Sequence, residues 1–268
     1  MHVLDNPAWS ALNGPQRHVA ETAGPVARFH PAISLFGAFD QEPGPDHWAA
    51  MARLIGPGGT VITTGCTATP PDGWIVEFDG EAVQMTAEQL LAERRAVRPD
   101  GPDGPDGPDG PDGPDVLPLG ADDVDDMLEL VALTRPGPFT SRTYELGGYV
   151  GVRHQGRLIA MAGERMRPVG WGEISAVATH PDHRGQGLAE RLVRVVVSRI
   201  FDRGDAPLLH TSTDNANAIR LYEAMGFTIR RETRFLAARA PAAAASVAAD
   251  SLKSADSLKP ADSLKSGR

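Results

Sequence analysis

Residues 172–192 read GEISAVATHPDHRGQGLAERL. From Gly172 to Thr179 polar and apolar side chains alternate, the pattern of a strand with one face buried. Pro181 and Asp182 make a turn, Arg184-Gly185-Gln186-Gly187 is broken by glycine, and Leu188 opens a helical pattern. A strand that runs through such a loop into a helix points backbone N–H groups at whatever lies above the helix start. Those first amides have no partner within the helix, and the helix dipole adds positive potential, so the arrangement suits an anion.

Downstream, Gly187–Arg203 places Leu188, Leu192, Val196 and Ile200 four residues apart, an amphipathic helix. A short strand over Leu208–Thr211, a helix over Asn215–Met225 and a strand over Thr228–Leu236 follow. Upstream lie strands Tyr149–Arg153 and Leu158–Glu164, joined by a hairpin turn at His154–Arg157. Before them come a proline-broken loop over Arg135–Tyr144 and a helix over Asp122–Leu133 with an acidic first turn. The order from residue 116 is helix, three strands, helix, strand, helix, strand.

Residues 1–98 form a smaller α/β half. An irregular helix around Trp9–Leu12, extended pieces from Pro25 to Asp40, a helix over His47–Leu54 capped by Asp46, strands Thr60–Gly65 and Trp74–Phe78, and a helix over Thr86–Val97 capped by Thr86 are expected. No nucleophile–base pair or ligand cluster stands out there. A Gly-Pro-Asp repeat fills the segment 99–115, too short for a triple helix and suited to an acidic, solvated linker. It divides the chain into 1–98 and 116–240. The tail, 241–268, repeats Ala-Asp-Ser-Leu-Lys and carries too few apolar residues for a core, so disorder is expected.

The chain of 268 residues carries 35 acidic and 26 basic side chains, a formal charge of -9. That balance argues against a nucleic-acid or anionic-membrane surface and leans toward a cationic small molecule or protein as partner. A single cysteine, Cys66, excludes an internal disulfide and a cysteine-cluster metal site. With no basic flank before an apolar run at the N-terminus and no apolar run of bilayer length, a cytoplasmic location is the expectation.

Arg184, Gly187 and Ala189 make an Arg-x-x-Gly-x-Ala pattern, and DNANAIRLYEAMGF follows from Asp214 to Phe227 with a strand between. Together these motifs resemble the GNAT superfamily of N-acetyltransferases, over the C-terminal half of the chain. The resemblance implies an α+β fold, a mixed, mostly antiparallel sheet flanked by helices. It is also similar to a bacterial GNAT subgroup whose N-terminal half is a diverged second copy, although no internal repeat is visible. Two other glycine-loop chemistries fit less well. A nucleotide-triphosphate loop ends in Gly-Lys-Ser/Thr, where this chain has Gly187-Leu188-Ala189, and a dinucleotide fingerprint needs a third glycine where Glu190 stands.

The resemblance implies that the anion is the pyrophosphate of acetyl-CoA, the co-substrate, held by Arg184, Gly185, Gln186, Gly187, Leu188 and Ala189. Val177, Ala178 and Thr179 would offer strand-edge backbone to the pantetheine arm, and Asn215 would contact it or cap its helix. Tyr222 is the expected general acid and Glu173 the candidate base, directly or through water. His180 and His183 lack a further ligand nearby, so no metal is expected, and His210 reads as a satisfied histidine in preference to an alternative base. The reaction implied is acetyl transfer from acetyl-CoA to a primary amine of a small molecule or a protein. The alternative is a non-catalytic acyl-CoA-binding or sensing module.

Overall fold

The computed structural model describes residues 2–87 and 115–242. Their strands form two sheets. The smaller is antiparallel: β1 (Ala20–Ala23), β2 (Val26–Phe29) and β3 (Gly37–Phe39). The larger contains β4 (Thr60–Thr64), β5 (Ile75–Thr86), β6 (Leu117–Leu119), β7 (Tyr149–His154), β8 (Arg157–Glu164), β9 (Trp171–Thr179), β10 (Ala206–Ser212) and β11 (Thr228–Arg239). Its order is β4-β11-β5-β10-β9-β8-β7-β6, and among these strands only β9 and β10 run parallel. The helices are α1 (Pro7–Leu12), α2 (Pro45–Ile55), α3 (Val124–Thr134), α4 (Leu188–Asp202) and α5 (Ala216–Ala224). This is the mixed, mostly antiparallel sheet flanked by helices that the motifs imply.

Local chemistry fixes the connections. Between β7 and β8 the turn needs two left-handed residues, supplied by Gln155 at φ 50° and Gly156 at φ 81°. At the start of α2 Gly44 occupies the N-cap and Pro45 the first turn, so Asp46 is a first-turn acid and not the expected cap. The parallel step from β9 to β10 is made through α4, as a parallel pair requires. One face of α4 (Leu188, Leu192, Val193, Val196, Ile200) is buried with Ile159, Ala160, Ile174, Val83 and Met85.

The expected boundary at the Gly-Pro-Asp repeat does not divide the sheet. β4 and β5 come from before it, and β5 lies between β10 and β11, paired with both. Thr86 accordingly is not a helix cap. It ends β5, opposite Leu208 on one side and Thr228 on the other. Residues 81–86, EAVQMT, put Val83 and Met85 on one face and Gln84 and Thr86 on the other, and two flanking ladders hold them extended where isolated propensity allows a helix start. The rest of that expected helix, residues 88–97, lies outside the described residues, as do nearly all of the repeat and the tail beyond 242.

Cross-strand register assigns the two faces of this sheet. His210 stands opposite Gln84, and Glu173 opposite Leu208, placing Glu173, His210 and Gln84 on one face. Gly80, Phe235 and Thr64 form a row on that face, and Phe78, Ala237 and Ile62 form another. N-terminal residues Ala8, Ala11, Leu12, Phe29 and Phe36 pack against Ile62 and Ala237 there. Thus α4 and α5 cover one face, and the N-terminal half together with α3 covers the other.

Because β5 is internal to the sheet, cutting the connection should not separate the halves. A protease site inserted in the Gly-Pro-Asp repeat and cleaved in the native protein is expected to leave two fragments that co-elute on gel filtration and unfold in one transition. Separate elution would show that the shared sheet does not hold them.

Candidate active site

The site begins where β9 and β10 part. They pair only from Trp171↔Ala206 to Ile174↔Leu209, whereas β9 stays paired with β8 as far as Thr179. The cause lies in β9 itself. Its register with β8 slips between Met161↔Ala178 and Gly163↔Ser175, so Ala176 and Val177 stand against Ala162 alone. Ala176 takes φ 53°, a left-handed conformation in a residue with a Cβ, as at the first position of a bulge. The bulge turns the strand, and Ser175–Thr179 are left without a ladder partner on the β10 side among the described residues.

A cavity of 1080 Å³ fills this opening. Val177, Ala178, Thr179, Arg184, Gly185, Gly187, Leu188, Ala189, Asn215 and Tyr222 all line it. Of the residues singled out from sequence, Gln186 and Glu173 are not among its lining residues.

At one end lies the start of α4. Gly187, at φ 75°, is the N-cap and has no side chain to cap with. The first helical bond runs from Arg191 N to Gly187 O at 3.1 Å, so the amides of Leu188, Ala189 and Glu190 precede it. Gly185 is also left-handed, at φ 76°. Both glycines are required by backbone conformation, since any other residue would be strained there. This uncapped helix start beside an unpaired strand edge fits a diphosphate followed by an amide-bearing arm. Asn215 accepts a hydrogen bond from Ala218 N at 3.2 Å through Oδ1, so it caps α5 while lining the cavity.

Tyr222 lies on α5, its ring edge-on to Phe227 with centroids 6.0 Å apart. It is 7% exposed, and burial pushes its phenol up to about 12. The hydroxyl therefore keeps its proton across the physiological range.

Glu173 is placed differently from expectation. It is fully buried, and its carboxylate accepts from Arg165 Nη2 at 2.6 Å, Arg165 Nε at 3.1 Å and His210 Nδ1 at 2.8 Å. Burial alone raises a carboxyl's pKa, yet the Arg165 charge and the His210 bond outweigh it and hold Glu173 well below the usual carboxylate range. A carboxylate so held is a poor direct proton acceptor. His210 is tied at both nitrogens. Gln84 Nε2 donates to Leu4 O at 2.9 Å and meets His210 Nε2 at 3.0 Å, while Gln84 Oε1 accepts from Arg230 Nη1 at 2.8 Å. This amide orientation makes His210 Nε2 an acceptor and leaves the ring proton on Nδ1, given to Glu173.

Sequence reading missed the other end of the cavity. Arg165, Phe235 and the β5 residues Phe78, Gly80, Glu81 and Ala82 line it. Arg165 is buried, with its guanidinium 4.3 Å from the centroid of the Phe36 ring. The available signal was a charged pair, Glu164-Arg165, at the end of an apolar strand; nothing local tied β5 to this site. Cys66 is a buried thiol pushed up to about 11 by burial and by Glu42. His180 Nδ1 accepts from Asp182 N at 3.3 Å, a local turn contact.

Comparison with known proteins places these features in context. A family profile described as FR47-like protein matches residues 149–236. Mycothiol acetyltransferase of Thermomonospora curvata is 33% identical over 86 residues, 32% of this chain and 29% of that protein. N-alpha-acetyltransferase RimI of Mycobacterium tuberculosis is 35% identical over 83 residues, 30% of this chain and 51% of that protein. The matches thus span about half or less of these curated relatives. Among solved structures, a GNAT-family protein of Novosphingobium aromaticivorans is 37% identical with a TM-score of 0.73, across 89% of this chain and 98% of that one. A GCN5-related N-acetyltransferase of Kribbella flavida, 17% identical with a TM-score of 0.55 across 87% and 94%, shares the fold.

Two outcomes follow from the geometry. Arg165→Leu strands a buried carboxylate and is expected to cost about 3–5 kcal/mol in chemical denaturation, while removing Glu173 in the same chain should recover part of that loss. The stability that the ionised Glu173 contributes is present above its unfolded value of 4.5 and is lost as pH falls below it, which acid titration of unfolding reads directly.

Proposed function

This chain belongs to the GNAT family, and from that premise we propose that it is an acetyl-CoA-dependent N-acetyltransferase acting on a primary amine. The observation that carries the reading is the single cavity that joins an uncapped helix start, an unpaired strand edge and a protonated tyrosine. Both curated relatives described above are named as acetyltransferases.

In this reading the amides of Gly185–Ala189 hold the diphosphate of the co-substrate, and the open edge of Val177–Thr179 holds its arm. A neutral amine attacks the thioester carbonyl, the carbon–sulfur bond breaks, and the Tyr222 hydroxyl gives its proton to the leaving thiolate. Arg165, Glu173 and His210 act as a fixed wall. With the carboxylate and both ring nitrogens engaged, no side chain of that cluster takes the amine's proton, so it passes to water.

The engaged state of Glu173 and His210 also suits the alternative, a module that binds acyl-CoA without turning it over. Turnover decides between the two. An amine-library screen following release of the CoA thiol should find an acceptor, and Tyr222→Phe should lower kcat by about 100-fold or more with acetyl-CoA affinity retained. The rate should rise with pH along the acceptor amine's own ionisation and show no alkaline fall below pH 10, because Tyr222 is still protonated there. Acetyl-CoA binding with no thiol release for any amine would leave the binding module.

A further inference from the structure

β5 has an open edge that leads into the acceptor end of the cavity. Its pairing with β10 runs from Thr86↔Leu208 to Ala82↔Ser212, and the next contact, Thr213 N to Glu81 O at 3.3 Å, is the last. From Ile75 to Gly80 the strand is held by β11 on one side, and its other side has no backbone partner among the described residues. That stretch is roughly 20 Å long at about 3.3 Å per residue. Apolar side chains stand exposed along it, Val76 at 46% and Phe78 at 57%. The Phe78 ring lies against the backbone of Gly80, and both residues line the cavity with Phe235.

Charge along the strand is uneven in a way that favours a cation at the cavity. Glu77 pairs with Arg239 at 2.8 Å, and Asp79 pairs with Arg234 at 2.6 Å. Glu81 lines the cavity, and its carboxylate has no ion pair among the described residues. An open strand edge offers backbone N–H and C=O groups for an added strand, and an uncompensated carboxylate at its end attracts an ammonium.

We propose that the acceptor is an extended peptide with a free amino terminus, which adds as a strand to the edge of β5 at Ile75–Gly80 and presents its α-amine beside Glu81. This rests on the acetyl-transfer reading above. The α-ammonium loses one proton to water, its nitrogen bonds to the acetyl carbon as the carbon–sulfur bond breaks, and the second proton replaces the one Tyr222 gives to the thiolate. The products are an N-acetyl peptide and the free CoA thiol. Backbone pairing supplies affinity over several residues, so peptide length and backbone N–H groups, more than one side chain, set the specificity.

The test uses the full chain with saturating acetyl-CoA and amidated peptides of one to eight residues that share one N-terminal residue. Thiol release should show kcat/KM rising at least tenfold from the single-residue amide to a hexapeptide and levelling near that length. Methylating alternate backbone nitrogens of the hexapeptide should return it to the single-residue value, and Glu81→Gln should raise the peptide KM with acetyl-CoA affinity unchanged. Turnover of small amines with no dependence on length, or tolerance of N-methylation, would overturn strand addition and leave acetyl transfer standing. Absence of acetyl-CoA binding in calorimetry would overturn the acetyl-transfer reading itself.

Discussion

The parting of β9 from β10 is the constraint on which the rest of the site depends. Two parallel strands joined by a helix would normally pair along their length, filling the space between them with backbone bonds. Here the bulge at Ala176 redirects β9 after Ile174, and the left-handed conformation of a residue with a Cβ is the local cost, of order 1–2 kcal/mol. What results is an unpaired strand edge above an uncapped helix start. Either would be a weak binding feature alone. Held side by side by the ladder to β8 and by the packing of Leu188, Leu192 and Val196, they form one continuous surface for an extended anionic ligand.

A gap in a sheet needs support at its base, and a buried polar cluster stands there. Glu173, Arg165 and His210 satisfy one another, and Gln84 carries the chain of bonds on to Leu4 and, through Arg230, to Asp5. Desolvating an ion pair is costly, and such a cluster is worth its cost in stability only when every member is paired. Three of these seven residues, Leu4, Asp5 and Gln84, come from the N-terminal part of the chain. That part also contributes β5 to the middle of the sheet and Phe78 and Glu81 to the cavity, so it is a working component of the site and more than an appended unit.

The helix-start end of the cavity was legible in sequence, because it is made from contiguous residues whose backbone conformation dictates their identity. Gly185 and Gly187 have positive φ, Asn215 caps a helix, and α4 shows its buried face every fourth residue. Glu173 stands out in the sequence, but the groups that engage its carboxylate do not. Its position in a strand beside the site is a local fact, whereas its partners are not: His210 reaches it through the parallel register of β9 and β10, and Arg165 follows β8 on the antiparallel side, where its N–H donates to Glu173 O at 2.9 Å. The least legible element was β5. Residues 74–78 read as a short strand and Thr86 as a helix cap, since nothing local records that two strands from the far half of the chain flank it. Long-range pairing overrode propensity there, and the β5 end of the cavity went unseen with it.

The central claim is that the opening in the sheet is a cofactor site built from backbone. Amide hydrogen exchange with and without acetyl-CoA tests it most directly. New protection is expected to be concentrated in residues 175–179 and 185–190, with the interior of α4 unchanged. Tight binding with no change at either segment, or with protection confined to other surfaces, would contradict it.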